Sequence, residues 1–206
     1  MHAFLSGVGG HDQAVAIFRR GGGTLRTSEA VARGIHPRTL YQLRDAARVV
    51  ELSRGVYRLA ELPAPSQPDL VTVALRVPQA VVCLISALAL HELTTEIPHE
   101  VYLALPRTAR HPRLDTPPLR VFRFSGAAFT EGLETRAIDR VSVRVYGPAK
   151  TVADCFKCRH KVGLDVALEA LKQCLARGRA RPAELLRAAR VCRVERVMRP
   201  YLEALA

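Results

Sequence analysis

Between His11 and Arg20 the apolar residues Ala14, Val15, Ile17 and Phe18 recur at helical spacing, and Gly21, Gly22 and Gly23 stop the run. A first helix is predicted there. Thr24-Leu25-Arg26 reads as a short extended link, after which Thr27 or Ser28 can cap a short amphipathic helix that runs through Arg33 and ends at Gly34. His36-Pro37 opens a third helix reaching to about Arg48, with Pro37 in the first helical position, where its missing N–H costs little. Leu40, Leu43 and Ala47 form its apolar face and leave Arg38, Thr39, Tyr41, Gln42, Arg44 and Asp45 mostly off it. Two β-type runs follow, Val49-Val50-Glu51-Leu52 and Val56-Tyr57-Arg58-Leu59, joined by Ser53-Arg54-Gly55, whose glycine suits a tight hairpin. Helix, short helix, glycine turn, helix and basic hairpin is the order of a winged helix-turn-helix.

The prolines between Leu62 and Pro68 cannot continue a helix or sheet and mark a linker. The expected division is therefore a winged helix-turn-helix over residues 1–61, a linker over 62–68 and a second domain over 69–206. In that second part Asp69 to Arg76 looks helical, and Ala80 to Leu84 is a β-rich run that passes into a helix from Ser86 to Leu93. Three strands are predicted, at Val101 to Leu105, Leu119 to Phe124 and Val141 to Tyr146, followed by helices from Pro148 to His160, Leu164 to Ala176 and Pro182 to Val191. The fold class is α+β, a winged helix-turn-helix followed by a small sheet with flanking helices.

Charge sharpens this picture. Lys and Arg number 31 against 19 Asp and Glu, and such an excess raises the concentration of polyanions near the surface. The excess sits at the ends: nine basic and four acidic residues over 1–60, nine and nine over 61–148, thirteen and six over 149–206. Arginine supplies 27 of the 31 cations, a bias that suits phosphates and guanine edges and that a GC-rich genome by itself would also produce. The basic stretch from Arg177 to Arg199 reads as the solvated face of amphipathic helices, as extra phosphate contacts, or as a docking face for an acidic partner. No apolar run has the length of a membrane span and no cleavable leader is visible, so no membrane association and a cytoplasmic location are expected. Five cysteines, an odd number without framework spacing, fit reduced thiols.

Enzyme chemistry finds little footing. The pair Cys155 and Cys158 with His160 nearby lacks a second pair to complete a zinc site, and packing against the core explains it better. His91-Glu92 would need a histidine at position 95, which is Thr95. The glycines of Ser6 to Gly10 and of Gly21 to Gly23 follow no strand and precede no Gly-Lys-Ser/Thr, so they read as a loose leader and a helix stop. A metal-dependent nuclease needs converging carboxylates; the predicted strands carry none, and Asp154 is assigned to helix capping or an arginine pair. No catalytic residue, cofactor or metal is expected, and a nuclease-like domain fused to a winged helix remains the alternative. The expected partner is double-stranded DNA. Arg38, Thr39 and Gln42, near the start of the third helix, are the candidate readers of base edges, Arg44 is a phosphate contact, and Arg54 at the wing tip meets phosphate or the minor groove.

Three stretches are similar to the AbiEi family of type IV toxin–antitoxin antitoxins. Gly34-Ile35, Leu40, Leu43 and Leu52 with Ser53-Arg54-Gly55-Val56-Tyr57-Arg58-Leu59 resemble that family's turn, third helix and wing strand. Ser86 to Leu93 resembles its small-residue helix, and Lys150-Thr151-Val152-Ala153-Asp154 with Gly163 to Leu171 resembles its last conserved segments, with Glu92 and Val152 as departures. The resemblance spans about Gly23 to Leu175. It implies an antitoxin that represses its own operon by binding an operator with inverted repeats, and that counteracts a nucleotidyltransferase-like toxin through its C-terminal domain.

Overall fold

The helical spacing at the start of the chain becomes three helices set on a small sheet. The computed structural model describes residues 6–205, and the chain divides into two compact units. One runs to Pro78 and takes in Ala137–Ser142; the other holds Gln79–Arg136 and the chain from Val143 onward.

The first unit contains α1 (Ser6–Arg20), β1 (Thr24–Arg26), α2 (Thr27–Ala32), α3 (Pro37–Asp45), β2 (Val49–Ser53), β3 (Val56–Leu59) and α4 (Pro68–Arg76). The strands form an antiparallel sheet in the order β1-β3-β2. Ala14, Val15, Ile17 and Phe18 of α1 meet Leu25, Ala30, Ile35, Leu40, Leu43, Val49, Tyr57 and Leu59 in one apolar core. Helix α1 starts earlier than its apolar spacing indicates, since Ser6–Gly10 continues the helix rather than forming a loose leader. Each glycine there disfavours helix by about 1 kcal/mol relative to alanine, which hides the extra turn from a reading by propensity.

Two local corrections concern caps. Neither Thr27 nor Ser28 caps α2: Arg26 holds that position, its N–H donating to the Glu29 carboxylate at 3.0 Å, while Thr27 turns its hydroxyl to the Gly55 carbonyl. Helix α3 ends at Asp45, and Ala47 lies outside the core, exposed and left-handed at φ 52°. The cause is a six-residue end motif in which the Arg48 N–H reaches the Leu43 carbonyl at 2.8 Å and the Ala47 N–H reaches that of Arg44 at 2.9 Å. Val49, the first residue of β2, fills the apolar place instead. The start of α3 follows expectation, with Pro37 in its first turn and the His36 ring accepting the Arg38 N–H.

The second unit holds β4 (Val81–Val82), α5 (Leu84–Leu90), β5 (Val101–Pro106), β6 (Leu119–Phe124), α6 (Ala127–Thr130), β7 (Leu133–Ile138), β8 (Val141–Tyr146), α7 (Pro148–Lys157), α8 (Arg159–Val162), α9 (Leu164–Ala176), α10 (Pro182–Val191) and α11 (Glu195–Leu205), the turn between β7 and β8 belonging to the first unit. Its sheet runs β6-β5-β4-β8-β7, with β5 antiparallel to β4 but parallel to β6, and β8 parallel to β4. Strand β5 is buried along Val101 to Leu105, which is why it reads as a continuous apolar run rather than an alternation. Helix α7 is buried from Lys150 through Phe156 and packs against α5, α9 and α10, so its polar residues lie inside the core. The architecture is the expected α+β class. Among the described residues no helix is long and apolar enough to cross a membrane.

Candidate nucleic-acid interface

Helix α3 is anchored by Leu40 and Leu43, both buried, and everything it offers outward follows from that register. At 100° per residue, Arg38, Tyr41, Gln42 and Asp45 point opposite the two leucines, while Thr39 and Arg44 fall on the flanks. Arg38 and Gln42 are exposed and Thr39 is half-buried, in keeping with this wheel. The Arg38 guanidinium has no hydrogen-bond or ion-pair partner among the described residues. Gln42 makes only a long contact, its Oε1 lying 3.4 Å from His11 Nε2 of α1.

Arg44 is engaged. Its guanidinium donates to Asp45 at 3.0 and 3.2 Å, approaches Glu51 at 3.9 Å and lies 5.2 Å from the Tyr41 ring centre. Tyr41 itself is 51% exposed, an aromatic ring on the outward face with the Arg44 guanidinium against it. The sequence pattern places it off the apolar face without singling it out; its three-residue spacing from Arg44 is the signal that identifies it.

The wing carries two arginines with different fates. Arg54, at the turn between β2 and β3, is exposed. Its backbone is fixed, because the Arg76 guanidinium of α4 donates to the Arg54 carbonyl and the Thr27 N–H donates to the Gly55 carbonyl at 2.9 Å. Gly55 sits at φ 76°, a conformation that the turn requires and that favours glycine. Arg58 is buried: it donates to Thr24 Oγ1 at 2.9 Å and twice to the Pro63 carbonyl at 3.0 and 3.2 Å. It ties the start of the proline-rich segment to the sheet and is not available to DNA.

In the second unit the Lys150-x-x-x-Asp154 segment proves to be a buried ion pair. Lys150 Nζ lies 2.6 and 2.7 Å from the Asp154 carboxylate, both side chains almost fully enclosed. The partner of Asp154 is therefore a lysine one turn earlier, not an arginine or a helix cap. The Cys192 thiol adds a donor at 3.1 Å, and the Lys150 ammonium stands 4.1 Å from the Tyr146 ring centre. Burial pushes the Asp154 carboxyl above its ordinary value, against the opposing pull of Lys150. The same burial raises every cysteine: Cys83, Cys155 and Cys192 well up, Cys158 and Cys174 to about 11. These thiols are protonated at neutral pH and poor nucleophiles, which suits packing. Nearby, His91 Nε2 donates to the Tyr146 carbonyl at 2.7 Å, while its buried Nδ1 has no partner among the described residues.

The class defined by the first unit is a winged helix-turn-helix with an outward, partly unpaired polar face on its third helix. Residues 12–60, which cover most of α1 and all the elements through β3, match the family described as "Transcriptional regulator, AbiEi antitoxin". In fold the chain is similar to the crystal structure of the RV2827C protein from Mycobacterium tuberculosis, with a TM-score of 0.59 at 15% sequence identity over 94% of this chain and 80% of that one. No curated protein matches.

Proposed function

We propose that the chain is a DNA-binding antitoxin and autorepressor of a type IV toxin–antitoxin operon. The first unit, with residues 1–61 as its DNA-binding domain, binds double-stranded operator DNA with α3 in the major groove. Arg38, Thr39 and Gln42 meet base edges there, Arg44 meets phosphate from the flank and Arg54 meets phosphate or the minor groove from the wing. The domain over residues 69–206 acts against a nucleotidyltransferase-like toxin. The observation that carries the DNA reading is the outward face of α3, where Arg38 stands without a partner among the described residues, two positions from the buried Leu40 that fixes its direction. The regulator family matched over residues 12–60 supports it.

Footprinting on the DNA upstream of the gene is expected to protect two inverted half-sites. Protection without inverted symmetry, or none, contradicts the operator reading. Co-expression with a neighbouring nucleotidyltransferase-like gene is expected to restore growth that the toxin alone arrests; continued arrest contradicts the antitoxin reading.

A further inference from the structure

One cleft in the first unit has no part in the proposed DNA face. Its volume is about 360 Å³, and its walls carry three arginines: Arg26 at the start of α2, Arg33 just past its end, and Arg140 in the turn between β7 and β8. None of the three guanidiniums has a hydrogen-bond or ion-pair partner among the described residues. The one carboxylate in the lining is Glu29, which accepts the Arg26 N–H at 3.0 Å, so the cleft keeps a formal surplus of two positive charges (three arginines less one glutamate). Leu25, Leu75 and Pro78 add an apolar surface.

The arginine supplied by the β7–β8 turn is held in place. Asp139 and Arg140 both have left-handed backbones, at φ 48° and 67°, a pair of conformations that asparagine and glycine accept more easily. The Asp139 carboxylate fixes the turn by accepting the Ser66 N–H at 2.8 Å and the Ser66 hydroxyl at 3.1 Å. A planar guanidinium fork suits phosphoryl oxygens, and three arginines lining one cleft beside an apolar surface suit a small phosphate-bearing molecule with a carbon body. A DNA backbone would supply the same phosphate chemistry. It gains nothing from the apolar surface, and the lining includes no residue of α3, β2 or β3.

We propose that the cleft formed by Arg26, Arg33 and Arg140 is a binding site for a small phosphate-bearing ligand, separate from the DNA-reading face. Calorimetric titration of the full-length chain with inorganic diphosphate at fixed ionic strength tests it. Saturable one-site binding is expected, weakened at least tenfold in an Arg33→Gln, Arg140→Gln variant. A control with the same loss of charge elsewhere, Arg107→Gln with Arg110→Gln, is expected to change it less than twofold. An Arg140→Gly variant, which the left-handed backbone favours, is expected to weaken binding in the same direction by a smaller factor, without strain on the turn. Affinity for a random-sequence duplex, measured in parallel, is expected to fall equally in the two double variants. Absent diphosphate binding, equal weakening in the control, or a loss confined to the duplex in the Arg33, Arg140 variant each overturns the proposal, the last by assigning these arginines to DNA phosphate.

Discussion

Lys150 and Asp154 illustrate how one residue's surroundings decide its meaning. Their spacing of four is the ordinary spacing of a surface ion pair, worth a few tenths of a kcal/mol on an exposed helix. Here both are enclosed in the core of the second unit, where an unpaired charge costs several kcal/mol. Lys150→Met is expected to destabilise the protein by about 3–5 kcal/mol by stranding Asp154, and Lys150→Met with Asp154→Leu to recover most of that loss. Urea unfolding of the three proteins checks it, and a double variant no better than the single would show that the pair itself holds the core. The residues that carry this pair are visible in the sequence; their burial is not, because Ala149, Val152, Ala153 and Phe156 form an ordinary apolar stripe that leaves Lys150 and Asp154 on the face a surface helix turns to solvent, whereas α7 is covered there as well. Arg58 teaches the same lesson, since it reads as a basic wing residue yet is buried in hydrogen bonds to Thr24 and Pro63. Arg38 and Gln42, by contrast, follow directly from the positions of Leu40 and Leu43, and the structure leaves both exposed.

The elements of the first unit were legible because each has both a periodic face and a stop signal. Gly34, at φ 92°, ends the α2 segment, and Pro37 begins α3. The exception is the end of α3, where no glycine announces the turn and Ala47 occupies the left-handed position. Ala47→Gly is expected to stabilise the protein by about 1 kcal/mol, read as a higher melting temperature, because glycine meets that conformation without steric cost. A lower melting temperature would mean that the alanine side chain is needed. The wing makes a different kind of prediction. The Arg54 backbone is fixed by Arg76, the turn is tied to Thr27, and the guanidinium is exposed, which supports the proposed phosphate contact. Arg54→Ala should weaken operator and random DNA alike and lower the salt slope by about one counterion. A changed base preference at unchanged slope would contradict it. In the second unit, β7 escaped notice because Leu133–Ile138 is a largely polar edge strand, and α11 because Pro200 inside it reads as a break.

For the molecule as a whole, the pH dependence of stability has a definite sign. Burial lowers the His91 pKa below its ordinary 6.5 by penalising the charged ring, and this outweighs the hydrogen bond to the Tyr146 carbonyl, which favours the protonated form. The unfolded chain therefore takes up a proton near pH 6.5 that the folded chain refuses until lower pH. Stability is full above that value and falls as pH drops below it, with a slope from this group of at most about 1.4 kcal/mol per pH unit. His91→Gln, which keeps a donor for Tyr146, is expected to flatten that limb, and an unchanged slope would assign it to other groups. The resemblance read from the sequence extends into this second unit, whereas the family match covers residues 12–60. The central claim concerns α3. Operator affinity of the folded Arg38→Ala, Gln42→Ala variant, measured by fluorescence anisotropy beside the unaltered chain, is expected to fall about tenfold or more with an unchanged melting temperature. Undiminished operator binding in that variant would show that this helix does not read the DNA.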